Sequence, residues 1–257
     1  MRRISLACTA VLFCLISGML LCLLLYSPLP VLLASLANPE IHFAIVLSVV
    51  TGIISTFICV VIAVPVAYAL ARYEFFGKRA ATLVLTIPLT LPPLVAGIAL
   101  LLFFGTTPWG RALESAGFAV IFTPLGIIVA QVFVNLPYMV RIMRSSFAAI
   151  NPRFENVART LGCTDTGAFL QVSLPMARHG ILAGTVITWS KAMGEFGAVL
   201  MLAGATVMRT ETLPIALYLN ISTGDVDLAV AAAAILIAIS LVALSSVEYL
   251  DRDTHVF

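Results

Sequence analysis

The sequence predicts an all-α integral membrane protein, one domain over residues 1–257 with six transmembrane helices and a cytoplasmic loop between the fourth and fifth. Three observations carry that prediction. The chain is 61% hydrophobic and only 10% charged, more apolar surface than a water-soluble core can hide. Charge-free runs recur along it, long enough for the roughly 20 residues that cross about 30 Å of hydrocarbon. Lysine and arginine also fall unevenly between alternate connections, as the orientation rule for membrane helices requires.

The first span, 5–26, follows Arg2 and Arg3 in a charge-free run over 4–39. Its apolar stretch is longer than a signal-peptide core and no small-residue cleavage site stands out, so it is expected to stay attached. An outer connection at 38–42 leads to the second span, 43–71, and an inner turn with Arg72, Lys78 and Arg79 leads to the third, 80–104. Pro88, Pro92 and Pro93 fall within six residues there, which frees backbone carbonyls and bends the helix. Either Pro88, Thr90 and Pro92 mark a helix beside a pathway, or the kink serves packing and the Thr86 and Thr90 hydroxyls satisfy the backbone.

An outer loop at 106–117 precedes the fourth span, 118–140, and the charge-rich segment 141–178 precedes the fifth, 180–203. The fifth span is interrupted only by Lys191 and Glu195. Spaced i and i+4, the two would share a helix face, and unpaired charges in hydrocarbon are costly. They read either as a mutually satisfied pair that fixes packing or as groups lining a path or its gate. The outer connection 204–227, with Pro214, Gly224, Asp225 and Asp227, is expected to carry a short helix over the mouth of any pore. The sixth span is 227–247.

With the N-terminus inside, the cytoplasmic side holds Arg2, Arg3, Arg72, Lys78, Arg79, Arg141, Arg144, Arg153, Arg159, Arg178 and Arg252, and only Arg111 and Arg209 face out. Both termini are therefore expected in the cytoplasm. Cys8, Cys14, Cys22 and Cys59 fall in predicted spans and Cys163 in the inner loop, a pattern that points to neither a disulfide nor a metal site. An intramembrane enzyme would need a Gly-x-Ser-x-Gly, a His-Glu-x-x-His or an aspartate pair within the spans, and none occurs; His42, His179 and His255 fall at edges or in the tail. Membrane lipid is the expected solvent and no nucleic-acid partner is expected.

The inner segment contains a punctuated helix at 152–161: Asn151 can cap it, Pro152 suits its first turn and Gly162 can end it. Phe154, Val157, Ala158 and Leu161 stand at i, i+3, i+4 and i+7, one stripe on such a helix. Glu155 and Arg159 lie at i and i+4 on a more polar face. So short a helix is marginal alone, so the stripe docks either on the chain's own spans or on a partner.

Nine residues after Gly162 the chain reads Val172-Ser173-Leu174-Pro175. This order resembles the cytoplasmic-loop signature of permease subunits of ATP-binding-cassette importers, Glu-Ala-Ala, three residues, Gly, nine residues, Ile-x-Leu-Pro. Gly162, Leu174 and Pro175 match, whereas Asn156-Val157-Ala158 replaces the triplet and Glu155 stands one place early. Pro-Val-Ala-Tyr-Ala-Leu-Ala-Arg over 65–72 and Phe76-Gly77-Lys78-Arg79 resemble the start of the permease core of the same superfamily. The resemblance implies a homodimer of permeases in the plasma membrane of a prokaryote, with two cytoplasmic ATPase subunits beneath and an extracellular oxyanion-binding protein above. It also implies that Phe154, Glu155, Val157, Ala158, Leu161 and Gly162 belong to the element that the ATPase grips.

The chain has no Gly-x-x-x-x-Gly-Lys-Ser/Thr loop, so it is expected to be no enzyme and to hold no cofactor, with ATP and magnesium bound by the partner. Gly194-Glu195-Phe196-Gly197-Ala198 is similar to the matching stretch of tetrahedral-oxyanion permeases. The loop Val-Ala-Arg-Thr-Leu-Gly over 157–162 most resembles the molybdate and tungstate group, with sulfate and thiosulfate permeases next. A stand-alone channel or secondary transporter is the alternative from another class, and it would need no cytoplasmic socket.

Overall fold

The structure, a computed structural model, describes residues 1–26 and 29–252, and among them the side chains of all but 2, 29, 31–33 and 247–252. His255 and the end of the tail lie outside the described residues. The described residues are helical and contain no strand. In chain order the helices are α1 (Arg2–Tyr26), α2 (Leu29–Leu36), α3 (Pro39–Arg72), α4 (Lys78–Thr90), α5 (Pro93–Thr106), α6 (Pro108–Ser115) and α7 (Pro124–Ala149). They continue with α8 (Arg153–Thr160), α9 (Asp165–Ala168), a π-helical turn (Phe169–Ser173), α10 (Leu174–Met176), α11 (Arg178–Met193), α12 (Gly197–Ala203), α13 (Leu213–Thr223) and α14 (Val226–Arg252).

Four of these, α1, α3, α7 and α14, are long and apolar enough to cross a bilayer alone. Two bent pairs, α4 with α5 at 115° and α11 with α12 at 58°, are long and apolar enough only when each is taken as one unit, which gives four to six candidate spans among the described residues. The third predicted span is thus a sharp reversal rather than a kinked helix. Pro88 sits inside α4 without ending it. The turn comes at Leu91 and Pro92, both extended, with Pro93 opening α5. A residue before proline is pushed out of the helical region, and two successive prolines remove two amide donors.

α3 is the axis of the molecule. Asn38 caps it, its side chain accepting the Glu40 amide at 2.8 Å. Its buried positions are mostly small, among them Ala44, Ser48, Gly52, Thr56, Cys59 and Ala63. A stripe of small residues lets helix backbones approach where the surrounding lipid is as apolar as any side chain, and α7 and α11 pack along it. Serine and threonine on this stripe bond back to their own helix, Thr51 to the Leu47 carbonyl at 2.7 Å and Ser55 to Gly52 at 3.1 Å.

Three apolar clusters follow. The first joins α3 to α7 around Met139, Met143 and Phe147. The second gathers α5, α7 and α12 around Ile127 and Leu202. The third gathers α3, α13 and α14 around Ile41, Leu213 and Ala232. α13 is the helix expected in the outer connection; its first turn is buried, Leu213 and Ala216 in this third cluster and Ile215 in the second, while Tyr218 and Ile221 further along are exposed. Between α3, α5 and α7 lies an open apolar cavity of about 630 Å³. α7 runs on through Arg141 and Arg144 to Ala149.

Candidate functional site: a latched surface helix and two facing breaks

α8 forms where its punctuation places it. Asn151 Oδ1 accepts the Arg153 amide at 3.0 Å. At the other end Gly162, at φ +96°, takes the left-handed turn that a side chain would strain. The Gly162 amide donates to Arg159 and the Cys163 amide to Ala158, each at 3.0 Å, the paired bonds of a Schellman close. Phe154, Val157 and Leu161 are exposed, Leu161 by 81%, whereas Ala158 is buried. The stripe thus splits: three large apolar side chains face outward and the smallest faces in.

Glu155 does not share a solvated polar face with Arg159. It is 2% exposed and points into the protein. Its Oε1 lies 2.7 Å from Arg72 Nε and accepts the Ser173 hydroxyl at 2.7 Å, while Oε2 accepts the Tyr68 hydroxyl at 3.0 Å. Arg159 approaches Oε2 only to 3.8 Å and makes its closer ion pair with Asp165, at 2.7 Å. Burial by itself would raise the Glu155 carboxyl, but the bonds from Ser173, Arg72 and Tyr68 outweigh it and hold the group below the usual carboxylate range.

Each partner comes from a different element. Tyr68 and Arg72 stand at i and i+4 at the end of α3, and Arg72 Nη2 also donates to the Ile150 carbonyl just past the end of α7, at 3.0 Å. Tyr68 meets Phe147 edge-on, with ring centres 5.5 Å apart, and Phe169 at 4.6 Å. Ser173 closes the π-helical turn just before Leu174-Pro175. Proline has no amide to donate, and single π-helical turns are frequent at functional sites. Arg72, Tyr68 and Ser173 are the members of this candidate site that the sequence did not point to as partners of Glu155. Tyr68 and Arg72 carried two local signals, their i, i+4 spacing and their place in the 65–72 stretch noted above, and neither points to Glu155.

Lys191 and Glu195 are not on one continuous helix. α11 ends at Met193, Gly194 closes it, and α12 starts at Gly197. Lys191 Nζ sits 4.2 Å from the centre of the Tyr138 ring, a cation–π distance. Glu195 Oε1 accepts the Ala198 amide at 3.2 Å and so caps α12. No ion pair between the two occurs among the described residues. Pro88 is half-buried, and Thr90 and Pro92 are exposed. The Thr90 hydroxyl bonds back to the Ile87 carbonyl at 2.9 Å.

The two breaks themselves face each other. A Cβ added at Gly197 would stand 2.9 Å from Pro93 Cβ and 3.0 Å from the Leu94 amide nitrogen; one at Gly97 would stand 2.7 Å from Met201 Cβ. α5 and α12 therefore touch nearly backbone to backbone. Beside them Gln131 of α7 donates to the Ala192 carbonyl at 2.9 Å, satisfying one group freed by the end of α11.

Residues 60–256 match the model of a family described as binding-protein-dependent transport system inner membrane component. The molybdenum transport system permease protein ModB of Mycobacterium tuberculosis is 38% identical over 208 residues, 80% of this chain and 78% of that one. The sulfate transport system permease protein CysW of Synechocystis is 34% identical over 221 residues, 86% of this chain and 80% of that one. In fold, the chain superposes with a TM-score of 0.74 on a chain of a bacterial alginate ABC transporter crystallised with its alginate-bound periplasmic protein. That match is at 15% identity and covers 96% of this chain and 92% of the other.

Proposed function

The chain belongs to the binding-protein-dependent transport system inner membrane component family and is an ABC importer permease, and on that premise we propose that it carries molybdate or tungstate inward as one of two identical permease subunits. An extracellular binding protein delivers the oxyanion and two cytoplasmic ATPase subunits drive the cycle. The observation that carries the coupling role is the division of labour on α8. Phe154, Val157 and Leu161 are bare, while Glu155 fastens the same helix to the end of α3. A surface helix held by a buried ion pair moves as part of its scaffold, so a partner that grips the stripe displaces α3 with it. In this reading closure of the ATPase pair shifts α8 as a rigid body and tilts the spans between inward-open and outward-open states. Both termini lie on the ATPase side.

The identity to the molybdenum permease supports molybdate as the cargo, and the sulfate permeases among its relatives make sulfate the second reading. The facing breaks support a path beside Pro92 and Glu195, where backbone groups freed from helices can meet a solute. The test is reconstitution of the permease with its ATPase and binding protein in vesicles. ATP-dependent uptake of molybdate or tungstate, with sulfate weaker, is the expected result. Uptake of sulfate alone would overturn the substrate, and flux without nucleotide would overturn the coupling.

A further inference from the structure

Glu211 lies in the connection between α12 and α13 and is wholly buried. Its Oε2 accepts the Met208 amide at 2.8 Å, holding Met208 at φ +55°, a conformation uncommon outside glycine. Its other oxygen, Oε1, has no donor within reach among the described residues. What stands beside it is another carboxyl, Glu40 in the first turn of α3, in hydrogen-bonding range. Glu40 in turn accepts from Asn220 Nδ2 of α13 at 3.3 Å. Two ionised carboxylates so placed would bring acceptor against acceptor, with one charge fully out of water and no cation against it.

The remaining charged groups nearby leave that problem unsolved. Arg209 in the same connection, His42 on α3, and Asp225 and Asp227 beside α14 are all exposed, and α12 and α13 carry no charged residue. No ion pair to Glu211 or Glu40 occurs among the described residues.

We infer that Glu211 and Glu40 form a proton-binding site, one proton shared between the two carboxyls and riveting the start of α3 to the connection ahead of α13. With Glu211 protonated, its hydroxyl donates to Glu40 and the orphaned oxygen is satisfied. Burial, followed by the neighbouring Glu40, pushes the Glu211 carboxyl up to about 7. The sign follows from linkage. Between the ordinary value of 4.5 and about 7 the folded chain keeps a proton that the unfolded chain has lost, so folding weakens as pH rises, by up to about tenfold per pH unit, and levels off above.

The experiment uses the full chain in nanodiscs, with Glu211→Gln as the probe, since an amide keeps the shape and donates permanently to Glu40. The thermal midpoint of the wild type, relative to that of E211Q, is expected to fall from pH 5 to 7. A protonated-carboxyl stretch in the infrared spectrum, present in the wild type at pH 6, is expected to vanish in E211Q. Should E211Q not fold, titration of the same infrared band in the wild type decides, with Glu40→Gln as the second variant. Parallel pH profiles together with no carboxyl band at pH 6 would overturn the site.

Discussion

Removing the Glu155 carboxylate is the sharpest test of the latch between α8 and α3. In Glu155→Ala the Arg72 guanidinium, 8% exposed, loses its counter-ion and keeps only the Ile150 carbonyl. Tyr68 and Ser173 each lose the acceptor of their hydroxyl. Breaking a buried pair from one side costs about 3–5 kcal/mol, and an orphaned hydroxyl costs about 1–3 kcal/mol. These contributions overlap, so the expected loss for E155A is about 4 kcal/mol, and Arg72→Ala is expected to lose a similar amount for the mirror reason. The double variant removes both charges and is expected to cost well under the sum, with a coupling energy of at least about 1–2 kcal/mol. The assay is chemical unfolding in mild detergent, followed by tryptophan fluorescence, for the four members of the cycle. Additive losses, or a single-variant cost under about 1 kcal/mol, would refute the claim that this pair fastens the helix.

Three further outcomes are expected. Phe154→Asp or Leu161→Asp removes exposed apolar surface without touching the latch. Each is expected to weaken co-purification of a cytoplasmic ATPase roughly 10- to 100-fold, the equivalent of about 1.5–3 kcal/mol of lost burial, at an unchanged unfolding midpoint. Gly97→Ala would drive a methyl to 2.7 Å from Met201 Cβ and 2.9 Å from Ala198 Cα, atoms that cannot swing aside, at a cost of about 1–3 kcal/mol. Gly18→Ala on α1, where nothing lies within 4 Å, is the control expected to show no loss in the same melt. Because the Glu155 carboxyl is held down, its contribution is complete above the ordinary carboxylate value and is lost only as pH falls below it, through its own lowered value. Hydrogen-exchange protection of α8 is therefore expected to be level from pH 8 to pH 5 and to drop only in stronger acid.

Local chemistry was legible in the chain, and distant pairing was not. The α8 boundaries follow from Asn151 and Gly162, each of which acts on backbone within a few residues. The membrane class follows from composition because lipid imposes one requirement on every span. Glu155, by contrast, read as the partner of Arg159, four residues away, and it is Arg72, 83 residues away, that holds it. Nothing in the spacing of either residue reports the other. The fifth span failed differently. The i, i+4 rule assumes one helix between Lys191 and Glu195, and Gly194 ends it there, so the lysine turns to the Tyr138 ring and the glutamate becomes a cap. In the third span Pro88, Pro92 and Pro93 marked the right place, but the adjacent pair makes a reversal where single prolines would make bends. Glu211 and Glu40 carried no sequence signal, because a shared proton appears only once the fold has brought two acids together.

α3 gives these separate details a common geometry. At 1.5 Å per residue its 34 residues form a strut about 50 Å long, well beyond the hydrocarbon thickness. Arg72 stands at one tip and Glu40 at the other, so the clasp on α8 and the carboxyl pair are opposite ends of a single lever arm. In the coupling proposed above, a tilt of a few degrees about the Arg72 tip would carry the Glu40 tip by several ångströms, with no relay of loops between them.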